Sequence, residues 1–254
     1  MEVAASSLPP GVEVQVLQVA TNSHLLLFGE LHGTREVPRL VGALLPKLVE
    51  HGYRGLGLEV PLDQQAPLIA WADGLIDHPP HFFARPSRDG RGNIQVLELV
   101  RTARALDLKL VCFDQAADEL AQRWTDREGR MAHNLLEGWS RLPAGAKMVG
   151  ICGSLHARLA PDKSVARLLR KAASGGQQLW PSLAACVRQQ QPSLVAGSVE
   201  VRFATGGFFN MGQKTIYARP GARAAAWTAP ASPAYTLALW LPRATPATFL
   251  SPPA

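Results

Sequence analysis

The sequence predicts an α/β protein: a mostly parallel central sheet covered by helices on both faces, with C-terminal edge or hairpin strands. Three observations predict it. Short runs that are apolar at every position, such as "LLLFG" (25–29) and "LVCF" (110–113), recur along the chain, and such a run is buried on both faces, as in a parallel sheet under helices. Segments with helical periodicity separate them. Acids and histidines collect where the runs stop, which is where open parallel sheets bind their ligands.

In chain order, the strand candidates are "GVEVQVLQV" (11–19), "HLLLFG" (24–29), "RGLGLEV" (54–60), "LKLVCFD" (108–114) and "AKMVGIC" (146–152). Helical patterns fill the gaps: Val37 to His51, with apolar Leu40, Val41, Leu44, Leu45 and Leu48; Gln64 to Ile76; Ile94 to Leu106; and Ala116 to Leu142. Strand, helix, strand in repetition is the pattern of parallel βαβ units. Beyond residue 175, "SLAACVRQ", "SVEVRFA" and "KTIYARP" lie between Gly and Pro residues and read as short edge or hairpin strands. The chain is therefore expected to form one α/β domain over 1–254. Its core is expected over 11–175, a candidate helical subdomain over 62–106, C-terminal strands over 180–242 and a loose tail over 243–254.

At 254 residues and 47% hydrophobic, the chain can bury one large core. Its net charge of +6 would suit nucleic acid if the cations clustered. Arg85, Arg88 and Arg91 in the Gly-rich loop, and Arg167, Arg170 and Lys171 on one amphipathic segment, lack interleaved aromatics. A solvated surface and no nucleic-acid partner are expected, with the loop arginines available to an anionic part of a substrate. The N-terminus has no signal-like pattern and no window approaches the ~18 apolar residues of a membrane span. A cytoplasmic location without membrane contact is the expectation; the oligomeric state is not legible. Cys112 and Cys152 read as core thiols, and with Cys186 they make too few cysteines for a disulfide scaffold or zinc cluster.

The strand ends carry the chemistry. The first apolar strand is followed by Glu30 and His32, the next ends on Glu59, another on Asp114, and the last runs into His156. If these strands are parallel, the four ends form one wall of a shared polar site. "GELH" (29–32) and "GSLH" (153–156) both follow apolar strands, where Gly allows a tight exit and close approach to a ligand. His24, His51, His78 and His81 have no such setting and are read as surface or capping residues. An imidazole held by a carboxylate can deprotonate water. No Gly-x-Ser-x-Gly elbow occurs, so attack by activated water without an acyl-enzyme is favoured. The rival is a divalent ion such as Zn or Mn held by His32, His156, Glu30 and Glu59. There is no phosphate-binding Gly-x-x-x-x-Gly-Lys-Ser/Thr loop and no complete dinucleotide loop.

"GELHGTRE", "LGLEVP", "DREGRMAHN" and "GICGSLHAR" resemble, in order, the signatures of the superfamily that unites erythromycin esterases, ChaN-type haem-binding uptake proteins and TIKI/TraB proteins. The resemblance spans residues 25 to 158. It implies functional roles for Glu30, His32, Glu36, Glu59, Arg127 and His156, with Asn134 as support. Glu128 stands where many relatives have Asp, and "GSLH" is closer to the ChaN and TIKI forms than to the esterase branch. The expected catalytic set is His32, Glu30, Glu59, His156 and Arg127, with Arg35, Glu36, Asp114 and Asn134 binding substrate and no resident metal. The expected function is hydrolysis of an ester, lactone or amide in a small molecule or short peptide. The alternative is a non-catalytic peptide or haem binder using the same pocket. For haem, an axial ligand other than histidine would have to come from Tyr53, Tyr217 or Tyr235.

Overall fold

Along β1 (Leu25–Glu30) every residue is buried; Leu26 and Phe28 enter one apolar cluster, Leu25 and Leu27 another. Successive strand side chains point to opposite faces, so this strand feeds two cores. β3 (Lys109–Asp114) repeats the division, with Leu110 and Cys112 on one side and Val111 and Phe113 on the other. The computed structural model describes residues 8–84, 89–116, 126–166, 168, 170, 173, 179–229 and 231–251.

The first cluster is covered by α1 (Pro10–Thr21), α2 (Glu36–Glu50), α3 (Gln65–Ala72), the short α4 (His81–Ala84) and α5 (Ile94–Ala105). The second lies under α6 (Arg127–Ser140) and α7 (Leu183–Gln190). Between these layers runs a seven-stranded sheet completed by β2 (Tyr53–Pro61), β4 (Lys147–Gly153), β5 (Ala196–Phe203), β8 (Trp227–Ala229) and β9 (Leu237–Leu241). Its order is β3-β2-β4-β1-β5-β9-β8, parallel throughout except for the antiparallel pair β8–β9. A separate hairpin joins β6 (Gly206–Phe209) to β7 (Gln213–Ile216). The predicted fold class is the observed one.

Several expectations change. Residues 11–19 form α1, not a strand: the V-x-V-x-V alternation suggests period two, but the buried positions are Val12, Val16 and Ala20, four apart, while Val14 is 63% exposed. Pro10 at the first helical position suits a helix start. "SLAACVRQ" is α7, whose start Ser182 caps by accepting the Ala185 N–H. "SVEVRFA" is no edge strand, because β5 pairs with β1 on one side and β9 on the other. Within residues 62–106, Leu68, Trp71, Phe83, Val96 and Val100 join the same cluster as Leu26 and Phe28.

The tail is not loose over its described part. Main-chain bonds join Ala247 N–H to the Gly33 carbonyl at 2.8 Å and Ile94 N–H to the Thr248 carbonyl at 2.9 Å. The helix expected over 116–142 is seen from residue 127, residues 117–125 lying outside the described residues. Arg85, Arg88, Arg167 and Lys171 also lie outside them. Among the described residues no helix is long and apolar enough to cross a membrane.

Candidate active site

Because β1 to β4 run parallel, their carboxyl ends reach one edge. Glu30 pairs in register with Gly153, and Pro61 with Asp114. Glu59 sits where the β2–β3 register slips between Leu58 and Pro61, an irregularity of the kind that re-aims a side chain. Its carboxylate becomes the centre of the site.

Two histidine–carboxylate pairs flank it. His32 Nδ1 lies 2.8 Å from Glu30 Oε1, and His156 Nδ1 lies 2.6 Å from Glu128 Oε1. An ionised carboxylate only accepts, so Nδ1 carries hydrogen in both rings and each Nε2 faces inward. Those atoms lie at 3.5 Å from opposite oxygens of Glu59, His32 against Oε2 and His156 against Oε1. The His32 side chain is 15% exposed and that of His156 9%, so access favours the His32 side. Gly153 leaves room for both rings: a Cβ there would stand 2.7 Å from His32 Nε2 and 3.3 Å from His156 Cδ2.

Two guanidiniums complete the network. Arg127 grips Asp114 with Nε at 2.8 Å and Nη2 at 2.7 Å, and the same Nη2 donates to Glu59 Oε1 at 2.9 Å. Arg91 Nη1 donates to Asp114 Oδ2 at 2.6 Å and to Glu59 Oε1 at 3.1 Å, while its Nε meets Asp89 at 2.7 Å. The Gly153 N–H donates to Glu59 Oε2 at 2.7 Å. Burial opposes the charge on Glu59, but His156, His32, Arg91 and Arg127 outweigh it and hold its carboxyl well below the usual carboxylate range. Asp114 is likewise lowered, burial being overcome by Arg91 and Arg127. For His32, burial disfavours the imidazolium, yet Glu59 and Glu30 prevail and its pKa rises above 6.5.

Glu30, His32, Glu59, Asp114, Arg127 and His156 are thus brought together. Asn134 is not among them; its side-chain amide donates to the Phe113 carbonyl at 3.2 Å and braces the end of β3. Arg35 and Glu36 turn away to the C-terminal segment, Arg35 Nε donating to the Pro246 carbonyl at 2.8 Å and Glu36 Oε2 accepting the Thr245 N–H at 3.0 Å.

Two residues went unassigned by sequence. Arg91 was expected on a solvated surface but is buried among three carboxylates; its only signal was the pair of flanking glycines in "GRG". Glu128, noted for its identity beside Arg127, is the partner of His156, and its second oxygen accepts the Leu183 N–H at 2.5 Å. Cys112 and Cys152 are buried thiols, as expected. Burial pushes the Cys112 thiol up to about 12.

Both Glu59 oxygens are already engaged by N–H donors, and among the described residues no group of three or more His, Cys, Asp or Glu could hold a metal. Tyr53 donates to the Ala20 carbonyl, Tyr235 donates to the Ser154 carbonyl, and Tyr217 is 84% exposed.

No family model matches the chain, and no curated protein matches it in sequence. Solved structures do resemble it. A succinoglycan biosynthesis protein is similar over 92% of this chain and 91% of its own, with a TM-score of 0.66 at 8% identity. A mutant erythromycin esterase in its open conformation covers 94% and 95%, with a TM-score of 0.65 at 11% identity. A Bacillus cereus protein covers 93% and 92%, with a TM-score of 0.59 at 10% identity. At such identities the likeness is one of fold: a mostly parallel α/β sheet shared, along nearly its full length, with an erythromycin esterase among others.

Proposed function

We propose that the protein is a hydrolase that attacks an ester, lactone or amide of a small molecule or short peptide with activated water, without a resident metal. The observation that carries this reading is the convergence of two carboxylate-bound imidazoles on Glu59. Glu30 fixes the His32 tautomer, so a neutral His32 offers its Nε2 lone pair to water, and a raised pKa makes it a stronger proton acceptor. Glu59, held ionised against burial by His156, His32 and the two guanidiniums, is too weak a base for this task; it orients both rings and stabilises imidazolium as it forms. Arg127 Nη1 lies 3.5 Å from His156 Nε2. These two groups line the place where the oxyanion develops, Arg127 donating to it, and the proton that His32 takes from water passes on to the leaving group. The fold shared with an erythromycin esterase is consistent with ester or lactone chemistry.

The test is turnover of an ester, lactone and amide panel by wild type, His32→Ala, His156→Ala and the double variant. Each single change should cost roughly 10² or more, and the double variant should lose little beyond either single one, because members of one constellation do not add. Chelator treatment should leave the rate unchanged. Full turnover by His32→Ala, or tight binding without conversion by wild type, would replace the hydrolase by the binding protein.

A further inference from the structure

The loop bearing His32 follows β1 and the loop bearing Arg91 precedes α5 in the β2–β3 connection, yet one peptide segment binds both. Residues 245–247 run antiparallel to 33–35: Arg35 N–H donates to the Thr245 carbonyl at 3.0 Å, Ala247 N–H to the Gly33 carbonyl at 2.8 Å, and Thr34 bridges Pro246. The side chains of Arg35 and Glu36 clasp the same stretch. One turn further on, Thr248 changes partners. Its carbonyl accepts the Ile94 N–H at 2.9 Å, its own N–H donates to Gln95 Oε1 at 3.0 Å, and its hydroxyl accepts from Gln95 Nε2 at 2.5 Å. Ser251 then donates to the Ala84 carbonyl at 3.0 Å.

Beneath this segment the two loops touch. Gly33 adopts φ +74°, and a Cβ on it would stand 1.8 Å from the Phe209 carbonyl oxygen; a Cβ on Gly90 would stand 2.7 Å from Gly33 Cα. The Phe209 N–H donates to the same Gly33 carbonyl as Ala247, and the Phe209 ring meets Phe249 edge-on at 4.9 Å. His32 precedes this junction by one residue and Arg91 follows it by one.

We propose that Arg35, Glu36 and Gln95 are positioning residues that act through this strap, fixing where His32 and Arg91 stand relative to Glu59. The proposal rests on the catalytic reading of His32. A displacement of about 1 Å in a constellation of this kind can cost on the order of 10² in rate, and a short loop rich in glycine has little stiffness of its own. The strap supplies the stiffness from outside, which accounts for an acid and an arginine in the His32 loop that do not enter the site.

The experiment uses full-length protein labelled with ¹⁵N at histidine, comparing wild type, Glu36→Ala, Glu36→Gln and Thr248→Val. Tyr53→Phe, which removes a bond to Ala20 away from the strap, serves as the control for destabilisation alone. Glu36→Ala and Thr248→Val should each move the His32 imidazole signals more than those of His156 and lower turnover about tenfold or more. Glu36→Gln, whose amide oxygen still accepts the Thr245 N–H, should restore both. Unmoved His32 signals, equal movement of His156, or the same shift in Tyr53→Phe would overturn the proposal. Because the signals are read without substrate, a strap that moves His32 while His32→Ala keeps full turnover would remove the catalytic reading and leave the geometry standing.

Discussion

His156 donates its Nδ1 hydrogen to Glu128 across 2.6 Å with both groups buried, so the first turn of α6 sets the ring that the β4 loop delivers. Glu128→Gln should lower turnover on the order of 10², the scale of a misoriented acid or base, with a small change in thermal midpoint. Glu128→Ala should in addition lose about 1 to 3 kcal/mol, because the Leu183 N–H and the imidazole are both left without their acceptor. Turnover and melting measured on the two variants separate these effects.

Gly153→Ala places a methyl group where His32 Nε2 now lies, 2.7 Å from the new carbon. His32 has to swing away from Glu59. The expected outcome is a fold that melts near the wild-type temperature and a catalytic loss comparable to His32→Ala. A variant that retains wild-type turnover shows that the His32 position is not used.

Stability should peak between about pH 4.5 and 6.5. The depressed pKa of Glu59 makes its contribution complete above the ordinary 4.5 and removes it as pH falls through the lower folded value. His32 acts with the opposite sign: its raised pKa adds stability in full below 6.5, which disappears as pH rises through the higher folded value. Thermal midpoints against pH should show both limbs, and His32→Asn should lose the alkaline one. Turnover should rise with pH over the alkaline range where stability declines, because only neutral His32 takes a proton.

Arg91→Met leaves Asp114 and Glu59 with one guanidinium in place of two. Removing one member of a buried ion cluster costs about 3 to 5 kcal/mol, and the loss should shrink in acid as the stranded carboxylates protonate. Denaturant unfolding at neutral pH and near pH 4 provides the comparison. Equal losses at both values would mean that Arg91 contributes packing and not charge.

The parallel edge was legible because Leu25 to Phe28 and Leu110 to Phe113 are apolar without interruption, and each strand ends in an ionisable residue. Four strands and four covering helices follow from that pattern. The α1 and α7 segments were misread because Val12, Val14 and Val16, or Leu183 and Ala185, satisfy period two as well as period four over so short a span. Arg91 was hidden for another reason: a loop residue has no periodicity, and burial of its guanidinium depends on Glu59 and Asp114, which lie 32 and 23 positions away. The parts played by Arg35 and Glu36 depend on residues more than 200 positions along the chain.

During synthesis that separation becomes a separation in time. β1 belongs between β4 and β5, so when residues 25–30 emerge from the ribosome neither neighbour has been made, and His32 waits through more than a hundred further residues for His156. Every motif residue is present once the chain has passed 156, yet the second strand beside β1, β5, arrives near 200 and the segment that fastens the His32 loop near 248. A nascent chain therefore carries the complete set of site residues well before β5 and residues 245–248 are there to hold them in place.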